Sequence, residues 1–163
     1  MKRVLQFIAA CVPMALVMIL IYHFSSQEAS VSSATSRSFI ADLFSVFPSF
    51  RALSTYHKLQ VIGQAQFFVR KAAHFSIYAL LGVLAMLPSY VVFQKWGRSA
   101  FAAWCVTLLF SASDEFHQTF VPGRSGEIRD VLIDASGAAL GILVIYGIIR
   151  LWQRRGKKYD TQT

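Results

Sequence analysis

Residues 4–24, VLQFIAACVPMALVMILIYHF, decide the fold class of this chain, because these 21 residues contain no Asp, Glu, Lys or Arg. A helix needs about 20 apolar residues to cross the hydrocarbon core of a bilayer. The rest of the 163-residue chain has the same character, since 55% of all residues are hydrophobic and only 15% are charged. Soluble domains usually carry about 25% charged residues. The composition therefore argues against a soluble globular enzyme and against a disordered chain.

Three further apolar segments follow, at residues 72–93, 100–121 and 131–152. We therefore predict an all-α protein, an integral membrane four-helix bundle in which residues 1–163 form a single domain. Lys2 and Arg3 precede the first segment as they would in a signal peptide. The segment is longer than the apolar core of a signal peptide, so we expect an uncleaved membrane anchor.

Basic residues are distributed unequally between the two sides of this four-span topology. Nine lie at the N terminus, in the turn between the second and third segments, and at or after the end of the fourth. The other side holds seven, of which five lie in the long loop 25–71. Long loops count little in the positive-inside rule. The pattern therefore predicts that both termini are cytoplasmic, with a basic cytoplasmic tail at 153–163, and that loop 25–71 is outside.

The outer loop contains apolar residues at helical spacing. They are Phe39, Ile40, Leu43, Phe44 and Phe47, and a proline follows directly. This pattern predicts an interfacial helix whose aromatic residues reach into the outer leaflet. A short helix packed on the bundle fits the same periodicity equally well.

Charged residues gather at the ends of the apolar segments. At the start of the second segment, Arg70, His74 and Tyr78 follow one another at four-residue spacing and lie on one stripe of a helix. Asp130 and Asp134 share a stripe at the start of the fourth segment. Charged groups at membrane depth usually face a bundle interior or a water-filled cavity.

The end of the third segment begins the most acidic part of the chain, since five of the eight acidic residues lie between positions 114 and 134. One helix face there is shared by Ser111, Asp114, His117 and Gln118, and we expect Glu115 to point roughly a quarter turn away. The predicted topology places this end on the outer side, together with the starts of the second and fourth segments. We therefore predict one shared polar site at the outer face.

Four stretches of the chain resemble the VanZ-like family of bacterial membrane proteins. They are RKAAHFSIYALLG (70–82), SASDEFHQTFVPGRSGEIRD (111–130), DVLIDASGAALG (130–141) and FSSQ (24–27). The resemblance covers nearly the whole chain and implies a small multi-pass protein of the bacterial cell membrane with a role in the cell envelope. The founding member of the family is linked to low-level resistance to teicoplanin, a lipid-tailed glycopeptide. Many relatives carry Asn at the position of Asp134, so this chain has an additional acid.

The resemblance supplies no agreed catalytic residues, but it identifies a set of motif positions in this sequence. They are Arg70, Lys71, His74, Tyr78, Asp114, Glu115, Gln118, Gly123, Arg124, Asp130, Asp134 and Gly137.

The residues leave three functions open. The first is recognition of an anionic lipid, a lipid-linked envelope precursor or a lipoglycopeptide. Its candidate ligand-binding residues are Arg70, Lys71, His74, Tyr78, Asp114, Glu115, Gln118, Arg124, Asp130 and Asp134. The second is a membrane-embedded hydrolase or transferase acting on a lipid phosphate, for which the candidate catalytic residues are His74, Asp114, Glu115 and His117. The third is a purely structural charge network.

The sequence offers no signal for a cofactor. It contains neither a nucleophile elbow nor a phosphate-binding loop, and its histidines and acids do not form a contiguous metal-ligand signature. His74, Asp114, His117, Asp130 and Asp134 are of the residue types that bind zinc or manganese, so a metal site stays open as a variant of the enzyme. Because these residues form no ligand signature, we expect no metal and no cofactor. Nucleic acid is excluded as a partner because the basic residues have no folded soluble domain behind them. The expected partners are membrane lipids, and further copies of the same minimal bundle in a homo-oligomer.

Overall fold

A computed structural model describes the backbone of residues 1–160 and the side chains of residues 1–153. Within these residues the helices are α1 (Lys2–Ser25), α2 (Ala29–Ser45), α3 (Pro48–Arg51), α4 (Thr55–Phe93), α5 (Trp96–Gln118) and α6 (Ile128–Asp160). Residues 1–160 contain no strand, so the prediction of an all-α protein is confirmed. The side chains of the predicted basic tail, 153–163, lie almost entirely outside the described residues.

In the described part of the chain, three helices are long and apolar enough to cross a membrane. They are α1, α4 and α6, and they contain the first, second and fourth predicted segments. The third predicted segment lies in α5, which is 23 residues long. The most apolar stretch of this helix is less apolar than those of the other three, because Arg98 lies near its start and polar residues occupy its end.

The second predicted segment, 72–93, is only the C-terminal part of a much longer helix. α4 has 39 residues, which corresponds to a length of about 58 Å. It begins at Thr55 because Ser54 caps it, the Ser54 hydroxyl accepting a hydrogen bond from the His57 backbone at 3.4 Å. The predicted outer loop 25–71 is therefore mostly helical, since it contains α2, α3 and the first turns of α4.

Helix α2 contains most of the apolar repeat predicted to form a helix in the outer loop. Ile40 is fully buried, whereas Phe39 and Leu43 are exposed. The helix packs along the first half of α4, where the Gln66 side-chain amide donates to the Ser33 carbonyl at 3.2 Å. One face of α2 thus packs on the bundle, and the neighbouring face, which carries Phe39 and Leu43, is exposed. Its location in the membrane interface remains a prediction.

Helices α4 and α6 are in backbone contact. A Cβ atom on Gly137 would overlap the carbonyl oxygen of Phe75, and Gly141 meets the α4 backbone in the same way one turn later. Small residues allow membrane helices to approach this closely. The contact brings Asp134, one turn before Gly137, opposite His74.

Candidate functional site

Three helices contribute to a polar cluster inside the bundle. Asp134 of α6 is fully buried, and its Oδ2 atom accepts a hydrogen bond of 2.9 Å from the Ser111 hydroxyl of α5. The Nδ1 atom of His74, on α4, lies 3.5 Å from Oδ1 of Asp134. The structure therefore brings together the three segment ends that the sequence analysis assigned to one site.

Two acidic residues of α5 are also buried, Asp114 with 3% and Glu115 with 4% of its surface exposed. The side-chain amide of Gln118 lies 3.3 Å from an oxygen of Asp114 and 3.4 Å from one of Glu115. The sequence interpretation placed Glu115 on a different face from Asp114. Both are nevertheless interior, because α5 packs against α4 and α6 and so has two adjacent buried faces.

The turn between α5 and α6 is held close to this cluster by backbone contacts. The Glu127 N–H donates to Oε2 of Glu115 at 3.0 Å. A Cβ on Gly126 would overlap the Glu115 carbonyl, and Gly123 has a positive φ of 73°. Glycine adopts that left-handed conformation without steric cost. The sequence analysis did not identify Gly126, because its requirement comes from a tertiary contact.

Arg124 joins the turn to the end of α1. Its Nε donates to the Gln27 carbonyl at 2.8 Å and its Nη2 to the Phe24 carbonyl at 3.0 Å. Its Nη1 lies 3.3 Å from the side-chain oxygen of Gln118. Burial, and then the positive charge of Arg70, lower the pKa of Arg124. This repulsion indicates that the guanidinium groups of Arg70 and Arg124 lie close to each other.

The other two cations of the site differ in how they are paired. Lys71 forms an ion pair with Asp130. Arg70 forms neither a hydrogen bond nor an ion pair with any side chain in residues 1–153. Arg70 is thus the cation of this group that remains available for a ligand.

Two cavities border this cluster. One of 540 Å³ lies between α1, α2 and α4 and is lined largely by apolar residues such as Leu20, Ile21 and Ile77. The other, of 530 Å³, lies beneath α2 and the α5–α6 turn and is lined mainly by polar and charged residues. Arg70, His74 and Arg124 line both cavities. Volumes of about 300–1,000 Å³ are typical of small-molecule sites.

Two further predicted site residues have different surroundings. Tyr78 is fully buried and packs in an apolar cluster with Ile21 and Leu81, although it also lines the apolar cavity. His117 lines neither cavity, and its ring lies 4.6 Å from that of Tyr22 on α1. The structure therefore places His117 outside both cavities, whereas His74 lines both of them.

The arrangement permits three kinds of chemistry. The free guanidinium of Arg70 can bind an anion. The imidazole of His74 beside a carboxylate can exchange a proton with a bound group. One ligand atom from each of His74, Glu115 and Asp134 lies within 4.8 Å of the other two, which is close enough for one cation.

A protein-family model described as VanZ/LLP1 matches residues 10–151 of this chain. The matched range contains every site residue discussed above, and it confirms the resemblance inferred from the four sequence stretches. No curated protein and no solved structure matches the chain.

Proposed function

This chain belongs to the VanZ/LLP1 family, and we propose that it binds an anionic amphiphile at the outer face of the bacterial cell membrane. The observation that carries the proposal is that Arg70, His74 and Arg124 line both an apolar and a polar cavity. A ligand with a lipid tail and an anionic headgroup has both kinds of surface, and each cavity matches one of them.

The proposed topology has four crossings and places both termini in the cytoplasm. The membrane-compatible lengths of α1, α4 and α6 support three of them. α5 is the fourth, because it packs against both α4 and α6 and its 23 residues span about 35 Å. In a cysteine-free background, Ser125→Cys should react with an impermeant maleimide in whole cells, and Gly97→Cys should react only after lysis. The opposite pattern would invert the topology.

The headgroup is expected to carry a phosphate or another compact anion. Arg70 provides an unpaired planar guanidinium, which binds such groups through two parallel hydrogen bonds. The Lys71–Asp130 pair, by contrast, is internally neutralised. The membrane phospholipids, a lipid-linked envelope precursor and a lipoglycopeptide share this combination of anion and tail. If the ligand is a lipoglycopeptide, tolerance to a teicoplanin-type antibiotic would follow.

Native mass spectrometry of the detergent-purified protein tests the proposal. We expect wild type to retain phosphatidylglycerol in preference to phosphatidylcholine, and Arg70→Gln to weaken that retention about 10-fold or more, as loss of charged hydrogen bonds predicts. Arg98→Gln is the matched control, because it removes the same charge from an exposed position in the first turn of α5.

Three outcomes would contradict the proposal. The first is equal retention of both lipids by wild type. The second is equal loss in the Arg70 and Arg98 variants, which would indicate a general charge effect. The third is displacement of the lipid by inorganic phosphate at equal concentration. Phosphate has no tail, so this result would mean that the apolar cavity contributes nothing to binding.

A second candidate function is hydrolysis or transfer of a lipid phosphate group. It is favoured by the position of His74, which has a buried carboxylate 3.5 Å away and lines both cavities. Such a pair is the usual arrangement of a general base and its orienting group. Turnover of a labelled phospholipid or polyprenyl phosphate that disappears in His74→Ala, while lipid retention persists, would establish this activity. Binding without turnover would exclude it.

A further inference from the structure

We propose that His74, Glu115 and Asp134 form a binding site for one divalent cation of the zinc or manganese type. One ligand atom from each of these residues lies within 4.8 Å of the others. The three residues come from α4, α5 and α6, so the cation would lie between three helices. The set of one imidazole and two carboxylates suits these metals, and its two negative charges balance a divalent ion.

Unpartnered buried atoms are the second observation. Asp134 is fully buried, and its Oδ1 atom has no hydrogen-bond partner, nor has Nδ1 of His74. Bare polar atoms in a protein interior are costly and rare. A cation would give both atoms a partner at once.

The distance between these two atoms favours a shared cation over a direct contact. Nδ1 of His74 and Oδ1 of Asp134 are 3.5 Å apart, whereas hydrogen bonds between nitrogen and oxygen are usually about 2.7–3.2 Å long. Two ligands that are each about 2.0–2.1 Å from a tetrahedral zinc ion lie about 3.4 Å apart. The observed spacing therefore corresponds to one edge of a coordination tetrahedron.

The remaining carboxylate oxygens are held by neighbouring donors. Ser111 donates to Oδ2 of Asp134 at 2.9 Å, and the Glu127 backbone donates to Oε2 of Glu115 at 3.0 Å. Hydrogen bonds of this kind orient metal ligands and tune their affinity. The site would thus be largely formed before the ion enters.

No metal was expected from the sequence, because the candidate ligands are not closely spaced along the chain. Here the ligands are 41 and 19 residues apart along the chain, and only the packing of α4, α5 and α6 brings them together.

A cation bound to His74 would also lie next to the proposed lipid ligand, because His74 lines both cavities. An anionic headgroup between Arg70 and Arg124 would then face a positive ion. This role rests on the proposed function, whereas metal binding itself does not require any lipid.

Metal content tests the proposal directly. The full-length protein in detergent is stripped with EDTA, dialysed against ZnCl₂ or MnCl₂, freed of excess metal and measured by inductively coupled plasma mass spectrometry. We expect about one ion per wild-type chain. Asp134→Asn and His74→Ala should bind the ion more than about 10-fold more weakly. His117→Ala is the matched control and should retain it.

Two results would overturn the proposal. One is a wild-type protein that retains neither zinc nor manganese, and the other is metal content that is unchanged in Asp134→Asn and His74→Ala. If a variant fails to fold, the thermal unfolding of wild type still decides, because a specific ion must raise its melting temperature. Lipid retention measured in EDTA tests the proposed function separately.

Discussion

Replacement of Arg124 by Ala should destabilise the protein substantially. Its guanidinium donates to the Gln27 carbonyl at 2.8 Å and to the Phe24 carbonyl at 3.0 Å. The Phe24 carbonyl lies in the last turn of α1, and Gln27 lies two residues beyond the end of this helix. The guanidinium is therefore next to the negative end of the helix dipole. The alanine variant therefore loses a cap as well as the link between α1 and the α5–α6 turn.

The magnitude follows from these contacts. Hydrogen bonds from a charged donor contribute about 1.5–3 kcal/mol each when buried. Arg124 is only partly buried, so we expect about 1–2 kcal/mol for each of the two short bonds. The third contact, 3.3 Å from the Gln118 side chain, adds little. The expected loss in the free energy of unfolding is therefore about 2–4 kcal/mol.

Denaturation of the purified protein in mixed micelles measures this loss. Arg129→Ala is the matched control, because Arg129 is exposed and its side chain forms no hydrogen bond or ion pair within residues 1–153. Arg124→Lys should recover only part of the stability, since an ammonium group cannot reproduce the planar fork. The reasoning is refuted if Arg124→Ala unfolds within about 0.5 kcal/mol of Arg129→Ala, which is the range of ordinary surface substitutions.

The same unfolding assay tests two further contacts. Ser111→Ala removes the donor to buried Asp134 and should lower the free energy of unfolding by about 1–3 kcal/mol. Ser113→Ala should lower it much less, because the Ser113 hydroxyl bonds only to its own helix. Equal losses in the two variants would show that the Asp134 contact contributes nothing to stability. Gly137→Ala should lower the free energy of unfolding by about 1–3 kcal/mol, because it forces α4 and α6 apart. Gly147→Ala should leave stability unchanged, because a Cβ at this position has no neighbouring atom within 4 Å. A Gly137 variant as stable as the Gly147 variant would contradict the backbone contact.

The sequence predicts the helical class because its apolar segments leave few alternatives. Residues 4–24 lack any charge, and such a segment satisfies its backbone polar groups in a membrane only as a helix. The length of α4 could not be predicted in the same way. Residues 55–71 are mixed in polarity, and they are helical partly because α2 packs against them through contacts such as Gln66 with Ser33.

Helical spacing predicted that polar residues from three segment ends lie near one another, but it could not predict how their side chains pair. Helical spacing places Asp114 and Gln118 on one face, yet spacing within one helix cannot reveal that Glu115 meets His74 and Asp134. Helical spacing also cannot show which of the basic side chains Arg70, Lys71 and Arg124 remains unpaired. Only the tertiary contacts assign Arg124 to the end of α1 and leave Arg70 for a ligand.

Photo-crosslinking with an anionic phospholipid that carries a diazirine in its tail tests the central claim most directly. The account predicts that peptide mapping finds the adducts at residues of the apolar cavity, such as Leu20 and Ile77, and that Arg70→Gln removes them. Adducts confined to the exposed helix faces around Leu109 and Leu143, and unaffected by that substitution, would contradict it.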